Sequence, residues 1–567
     1  MNTVSADISA EVSGEAMMAN LTQIARWVKL SGTAEELEGL RFVESRMAAY
    51  GWRTGIVMHD AYISLPGAAS VLVDDVPVKA ITQSFSLPSP HDGFSAVPVY
   101  LGHGTVEDFA GKDLRGALLL LEGMATPAVA RRATEAGAAA QLQISHHEHI
   151  HEMCISPVWG NPSAATRRDL PRTVVCSVAH KDGAAIRDAL ADGKRPMVTL
   201  HAAVDTGWRK TPILVCDLDG PGGATDPFVL LSGHHDTWYH GVMDNGAANV
   251  AMLEVARIVA QRRSDWRRGM RVCFWSGHSH GRYSSSAWYA DEHWGELDRR
   301  CVAHVNVDSL GGIGATVLTN TKSTAELRRL AAEAVQRHAG QALKGVRRGR
   351  NSDESFVGIG IPSVFGSISA QPHQHQQARN ALGWWWHTPD DLIDKIDEAN
   401  LVRDTRVLLD GCWALLSESV LPLDHGATAD SLAAELNQLA PSLAGRFDLA
   451  PLVAGAARLR ELADAVDARR HTAPAASLAV ANAALMRASR ALVPMDCAEG
   501  ERFTHPDALP LAAWAPLQPM RSLAASAPGS EDEKFVAVDA VRARNRLAHA
   551  LREAEAALDD ARNALGG

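Results

Sequence analysis

Along residues 210–421 the chain alternates short apolar runs with longer stretches in which apolar residues recur every three or four positions. The runs Phe228 to Leu231, Val272 to Ser276 and Val302 to Asp308 each start apolar and lead into polar residues, and GIGIPSVFG at 358–366 reads as a further buried strand entered by a turn. Between them, GAANVAMLEVARIVAQRR and TKSTAELRRLAAEAVQRHAG carry helical spacing. This order predicts a mostly parallel sheet covered on both faces by helices, an α/β architecture. Ala16 to Tyr50 predicts helices stopped at Gly51, whereas Val57 to Val204 predicts short β segments with two helices. After Leu423 the chain is rich in Ala, Leu and Arg with clear helical spacing, interrupted by a Pro-rich link at 506–528. The domains read as 1–55 with 210–421, a β-rich insert over 56–209, and an α-helical domain over 422–567.

At 567 residues the chain is long enough for roughly three to four domains. Its hydrophobic content of 46% includes no apolar stretch near the length of about 18 residues that a membrane helix needs. The first residues, MNTVSADISAEVSGEAMM, have neither a basic start nor an apolar core of the signal-peptide kind, so a cytoplasmic location is expected. Seven cysteines without CxxC spacing suit buried thiols in a reducing compartment. A net charge of −11 argues against nucleic acid or an anionic membrane as partner.

The chemistry concentrates where the apolar runs end. GHHDTWYHGVMD at 233–244 puts His234 at a strand mouth, the place where open α/β sheets gather ligands. Asp236 lies two residues on, able to accept the second ring N–H of His234, and Asp244 follows. GHSHG at 277–281, NVDS at 306–309 and WWWHTPDD at 384–391 add His280, Asp308 and His387. His234, Asp244, His280, Asp308 and His387 form a set of imidazoles and carboxylates suited to a pair of Zn-like cations that share one carboxylate.

These residues resemble the M28 family of co-catalytic metallo-aminopeptidases and carboxypeptidases. With its insert, the layout is similar to the branch of glutamate carboxypeptidase II and transferrin receptor, whose insert is a protease-associated domain. The resemblance implies that His234 and Asp308 hold one metal, that His387 holds the other, that Asp244 bridges, and that Asp236 and Asp391 support the ligands from behind. It also implies a cis bond between Asp244 and Asn245. One or two divalent transition metals, Zn2+ first, are the expected cofactors.

The departure from the family falls on the chemistry. Where the family has Glu-Glu followed six residues later by Ser, this chain reads HSHGRYSSS. Anchoring on Ser286 puts Ser279 at the general-base position and His280 at the ligand position, and this register is preferred because it keeps a ligand. Anchoring on Ser285 puts His278 at the base position and Ser279 at the ligand position. Either way the usual carboxylate base is missing, a loss of about 10²- to 10⁴-fold in rate unless something substitutes. His278 is the favoured substitute, then Glu354 and Asp353 of NSDES, then His235. Asp236 counts with the catalytic group.

Other candidates line the mouth. Arg350 and Asn351 occupy the neighbourhood that holds a substrate carboxylate in the carboxypeptidase branch. If the three tryptophans run on a strand, Trp384 and Trp386 share one side and Trp386 can wall the pocket. The segment ISHHEHIHEMCISPVWGNPS at 144–163, unusual for its histidines, either binds a metal, is a capping loop, or lines the pocket through His149 or His151. The helical domain is expected to make a homodimer. The reading is a metal-dependent hydrolase of a peptide or small amide bond, using metal-activated water. A single-metal acyltransferase resembling glutaminyl cyclases and a non-catalytic binding protein of the same fold are the alternatives.

Overall fold

The computed structural model describes residues 8–350, 352–373, 381–472 and 474–566. Among them, an eight-stranded sheet carries four parallel strands in the order Ser363–Gly366, Cys301–Val307, Phe228–His234 and Gly269–Trp275. Phe228–His234 and Cys301–Val307 are buried at every position, so each is mostly apolar in sequence, interrupted only by buried polar residues such as Ser232, His304 and Asn306. Their C-terminal ends all open on the same edge. Helix Ala248–Ala260 packs into the core on almost every face, and Gly14–Ile24, Ala34–Ala49 and Glu398–Ser417 lie with it in the same apolar cluster. Ser13, Thr33 and Asp397 cap the last three at their N-termini, each side chain accepting a backbone N–H. The α/β class expected from the sequence is the one observed.

Two strands were not foreseen at their full length. Arg53–Val73 and Val198–Leu218 pair antiparallel over almost their whole extent, and Val198–Leu218 also pairs with Gly269–Trp275. One half of this ribbon extends the main sheet, and the other runs out beside a second, five-stranded sheet. That sheet has the order Ala80–Thr82, Val174–Val178, Ala140–Ile144, Leu118–Glu122 and Val99–Tyr100. Its core, including Leu118, Leu120, Leu142 and Ile144, is separate from that of the main sheet. The two half-exposed ribbon strands lack a long apolar run, which is why their pattern understates them.

The C-terminal region is helical, with Ala450–Asp467, Leu478–Cys497 and Glu531–Ala564 packed together. Its buried leucines, Leu432, Leu459, Leu485 and Leu551, belong to the same cluster as Val305 and Leu330 of the sheet domain. The helical layer therefore shares a core with the domain that bears the site. Trp384 to Trp386 are not on a strand: this segment is a chain of turns, and His387 sits at φ +58.

Candidate metal centre at the strand mouths

His234 ends its strand fully buried, and its Nδ1 donates to the Asp236 carbonyl at 2.8 Å. That bond fixes the neutral tautomer and leaves the Nε2 lone pair facing inward. Nε2 lies 3.1 Å from Asp244 Oδ1 and 3.4 Å from Asp308 Oδ1. From the other side, His387 Nδ1 donates to the Glu152 carbonyl at 2.6 Å and turns Nε2 to 2.9 Å from Asp244 Oδ2. The two oxygens of Asp244 thus face different histidines, as a carboxylate bridging two cations must. The Asp244–Asn245 peptide is cis, and Asp391 holds this turn by accepting the amides of Met243 and Asp244 at 2.9 and 3.0 Å. Burial pushes the Asp391 carboxyl up to about 7 against those two hydrogen bonds.

The donor set fits a cation. Two imidazole lone pairs directed at a carboxylate repel it unless positive charge lies between them, and Asp244 Oδ1 is buried with no hydrogen-bond partner. Burial opposes protonation of His234, yet Asp308 and Asp244 hold its imidazole well above the usual histidine range. Burial likewise works against ionisation of Asp244, and its contacts with His234 and His387 outweigh it, holding the carboxyl well below its usual value. Ser352 and Ser309 donate to Asp308 at 2.8 and 3.1 Å and fix its orientation.

The loop 276–283 brings the His278 ring onto His234. Asp236 does not meet the His234 ring through its carboxylate, which stands 3.9 Å from Nδ1. It accepts instead the amides of His278 and Ser279 at 3.2 and 2.9 Å and the Ser31 hydroxyl at 2.7 Å. This grip lays the His278 ring flat on His234, with centroids 3.7 Å apart and planes at 11°. One nitrogen of His278 lies within 4.8 Å of the ligand atoms of both His234 and Asp308. Its Nδ1 is 2.9 Å from Asp353 Oδ2, and Ser286 donates to the other Asp353 oxygen at 2.7 Å. His280, expected beside His387, turns its Nδ1 to Ser31 at 3.0 Å and packs on Trp238. The Ser279 hydroxyl is buried without a partner.

Several other candidates lie elsewhere. Glu354 is buried in an ion pair with Arg348 and accepts from Ser363 at 2.8 Å, so it is tied into the core beneath the sheet end. His235 bonds Asn249 at 2.7 Å on the opposite side of the strand from His234, and burial pulls its imidazole down to about 3. Arg350 stacks 4.0 Å over Trp159 and donates to the Pro506 carbonyl at 2.7 Å, so it faces the Pro-rich link and no substrate carboxylate. Asn351 lies outside the described residues.

The mouth itself is aromatic. Trp386 stacks on His387, with centroids 3.4 Å apart, and Trp384 on His149 at 4.0 Å, whereas Trp385 is buried against Met243. His151 is buried, with Nδ1 on the Trp386 carbonyl at 2.5 Å, and burial brings its imidazole down to about 4. Sequence reasoning took Glu152 only as part of a possible metal-binding segment and missed that its carbonyl orients His387, because a backbone contact leaves no side-chain signature.

Residues 215–411 match the family model described as Peptidase family M28. The chain carries an M28 peptidase domain. It is 22% identical over 537 residues to a protein named probable glutamate carboxypeptidase AMP1 of Arabidopsis thaliana, covering 78% of this chain and 73% of that one. It is also 25% identical to aminopeptidase YwaD of Bacillus subtilis over 66% of this chain and 78% of that protein. Among solved structures, it is similar to the zinc aminopeptidase BSAP of Bacillus subtilis, with 18% identity, a TM-score of 0.56, and coverage of 72% of this chain and 96% of that one. A second similar structure is the peptidase M28 precursor of Shewanella amazonensis, with 16% identity, a TM-score of 0.58, and 73% and 96% coverage. At these identities the structural likeness speaks for the fold of the M28 domain.

Proposed function

We propose that this chain is a metal-dependent hydrolase of a peptide or small amide bond, with zinc as its metal and His278 as the general base in place of the family's glutamate. The observation that carries this reading is the His278 ring, stacked on His234 and tethered through Nδ1 to the buried Asp353. His234 and Asp308 would hold one cation and His387 the other, with Asp244 between them. When bound, such ions lower the pKa of water and polarise the scissile carbonyl. His278 then accepts the proton of the attacking water at Nε2 as the new C–O bond forms. It returns that proton to the leaving nitrogen as the C–N bond breaks. Asp353 keeps the proton on Nδ1 between these events and stabilises the imidazolium.

Ser279 brings no carboxylate to the His387 side, so that cation has the poorer ligand set and is expected to bind more weakly. All seven cysteines are free and buried, which supports the reading of a reducing, cytoplasmic setting. No helix among the described residues is long and apolar enough to cross a membrane. Exposed Phe535, Val538 and Val541 on the last helix support self-association through the helical layer as a homodimer.

Incubating the zinc-loaded protein with a mixed library of peptides and N-acyl amino acids, followed by mass spectrometry, tests the activity. New amine and carboxylate products in equal amounts, lost on chelation, are expected. A library left untouched at every zinc loading would overturn the proposal.

A further inference from the structure

The segment 145–153, which leaves the second sheet after Ala140–Ile144, is locked to the turn that carries His387 by three hydrogen bonds. His387 Nδ1 donates to the Glu152 carbonyl at 2.6 Å, the Glu152 amide returns a bond to the His387 carbonyl at 3.1 Å, and His151 Nδ1 reaches the Trp386 carbonyl at 2.5 Å. A carbonyl can only accept, so both ring Nδ1 atoms must carry protons. For His387 this leaves Nε2 as a lone pair aimed at the Asp244 side, the state in which imidazole binds a metal. The same logic continues outward. His151 Nε2, now an acceptor, lies 3.1 Å from His147 Nε2, which must therefore donate, while His147 Nδ1 accepts the His149 amide at 3.0 Å. Every proton in the chain from the His149 amide to the Trp386 carbonyl has one consistent place with all rings neutral.

The segment is in turn held from behind. Gln83 donates to the His151 carbonyl at 3.2 Å and accepts the Met153 amide at 2.5 Å, and Ser145 donates to the His149 carbonyl at 2.6 Å. The clamp is therefore built against the second sheet and reaches the metal centre through the backbone of residues 386 and 387 and through the His387 ring.

We propose that His151, backed by His147, is a positioning residue for metal binding: it fixes the 386–387 turn against Glu152 so that His387 presents Nε2 to the second cation. The proposal rests on His387 being a ligand. Outer partners of this kind are worth about 10- to 100-fold in metal affinity. The site best suited to report it is the one beside His387, which already lacks the family's carboxylate at Ser279.

The test is a zinc titration of the metal-free full-length chain in competition with a chromophoric chelator, repeated with Co2+ to read the ligand field directly. His151→Phe keeps the ring shape and removes both hydrogen bonds. It should weaken the lower-affinity zinc by at least about tenfold and alter the Co2+ spectrum of that ion, while the higher-affinity ion on the His234 side stays within about threefold of wild type. His151→Asn, whose amide can donate to the Trp386 carbonyl, should recover most of that loss. If His151→Phe does not fold, His147→Ala at the half-buried outer position carries the test and should weaken the same ion at least about threefold. A folded His151→Phe or His147→Ala protein with unchanged zinc affinity overturns the proposal. His387→Ala is the control for the reading beneath it. If that variant binds zinc like wild type, His387 is no ligand and the failure lies there, whereas a loss with His387→Ala but none with His151→Phe rejects the positioning role alone.

Discussion

Glu354, a candidate base, is half of a buried ion pair with Arg348 and accepts from Ser363. Glu354→Gln leaves Arg348 buried with its charge uncompensated, and both residues are almost inaccessible. Breaking one side of such a pair costs about 3–5 kcal/mol. The amide oxygen can still accept from Ser363, at 2.8 Å in the wild type, so the lower end, about 3 kcal/mol, is expected. Across a domain of this size that lowers the melting midpoint by at least about 5 °C. Differential scanning calorimetry and turnover measurements at equal zinc content separate the two roles. The expected variant is clearly less stable, with turnover per folded molecule within about threefold of wild type. A variant with unchanged stability and turnover reduced more than about tenfold would mean that Glu354 acts in the chemistry and that the site is wrongly drawn.

Other outcomes follow from the same geometry. His425 is buried in the helical layer, bonded to Ser489 at 3.0 Å, and burial lowers its imidazole from 6.5 to about 4. A depressed folded value means that the unfolded chain binds the proton first. This group's stabilisation is then complete above pH 6.5 and is lost as pH falls toward 4, by about 3 kcal/mol in total. Denaturant titrations from pH 7.5 to 4.5 should show His425→Gln losing less stability than wild type over that window, and parallel curves would reject the assignment. Trp514, fully buried with its indole N–H on Ser431 at 3.2 Å, should cost about 3–5 kcal/mol when replaced by Ala, read by chemical denaturation. Chelation of bound zinc should lower the thermal midpoint by several degrees, because the ions bind only the folded arrangement of Asp244, His234 and His387. Light scattering should give twice the chain mass of 60.7 kDa if the helical layer forms a dimer, and a monomer disposes of that reading.

The strand mouths were legible because buried parallel strands write mostly apolar runs, and a ligand set at their ends needs only that pattern and the residue types. What sequence hid are contacts between distant segments. Whether His278 or His280 meets His234 is decided by Asp236, 42 residues before His278, through hydrogen bonds to backbone amides. Arg350 looked available to a substrate until Trp159 and Pro506, far away in sequence, closed over it. The three tryptophans imitate a strand, yet stacking of Trp386 on His387 and of Trp384 on His149 is better served by a turn. Of the three, Trp385 alone is buried, against Met243.

The central claim, that His278 tethered to Asp353 replaces the missing carboxylate base, is tested most directly by His278→Ala. Turnover of whichever peptide or amide the wild type cleaves is measured alongside zinc content by elemental analysis. The account predicts a fall of about 10²-fold or more at unchanged zinc stoichiometry, with Asp353→Asn lowering turnover by about 10- to 100-fold. Turnover of His278→Ala within tenfold of wild type, with the same zinc bound, would contradict it.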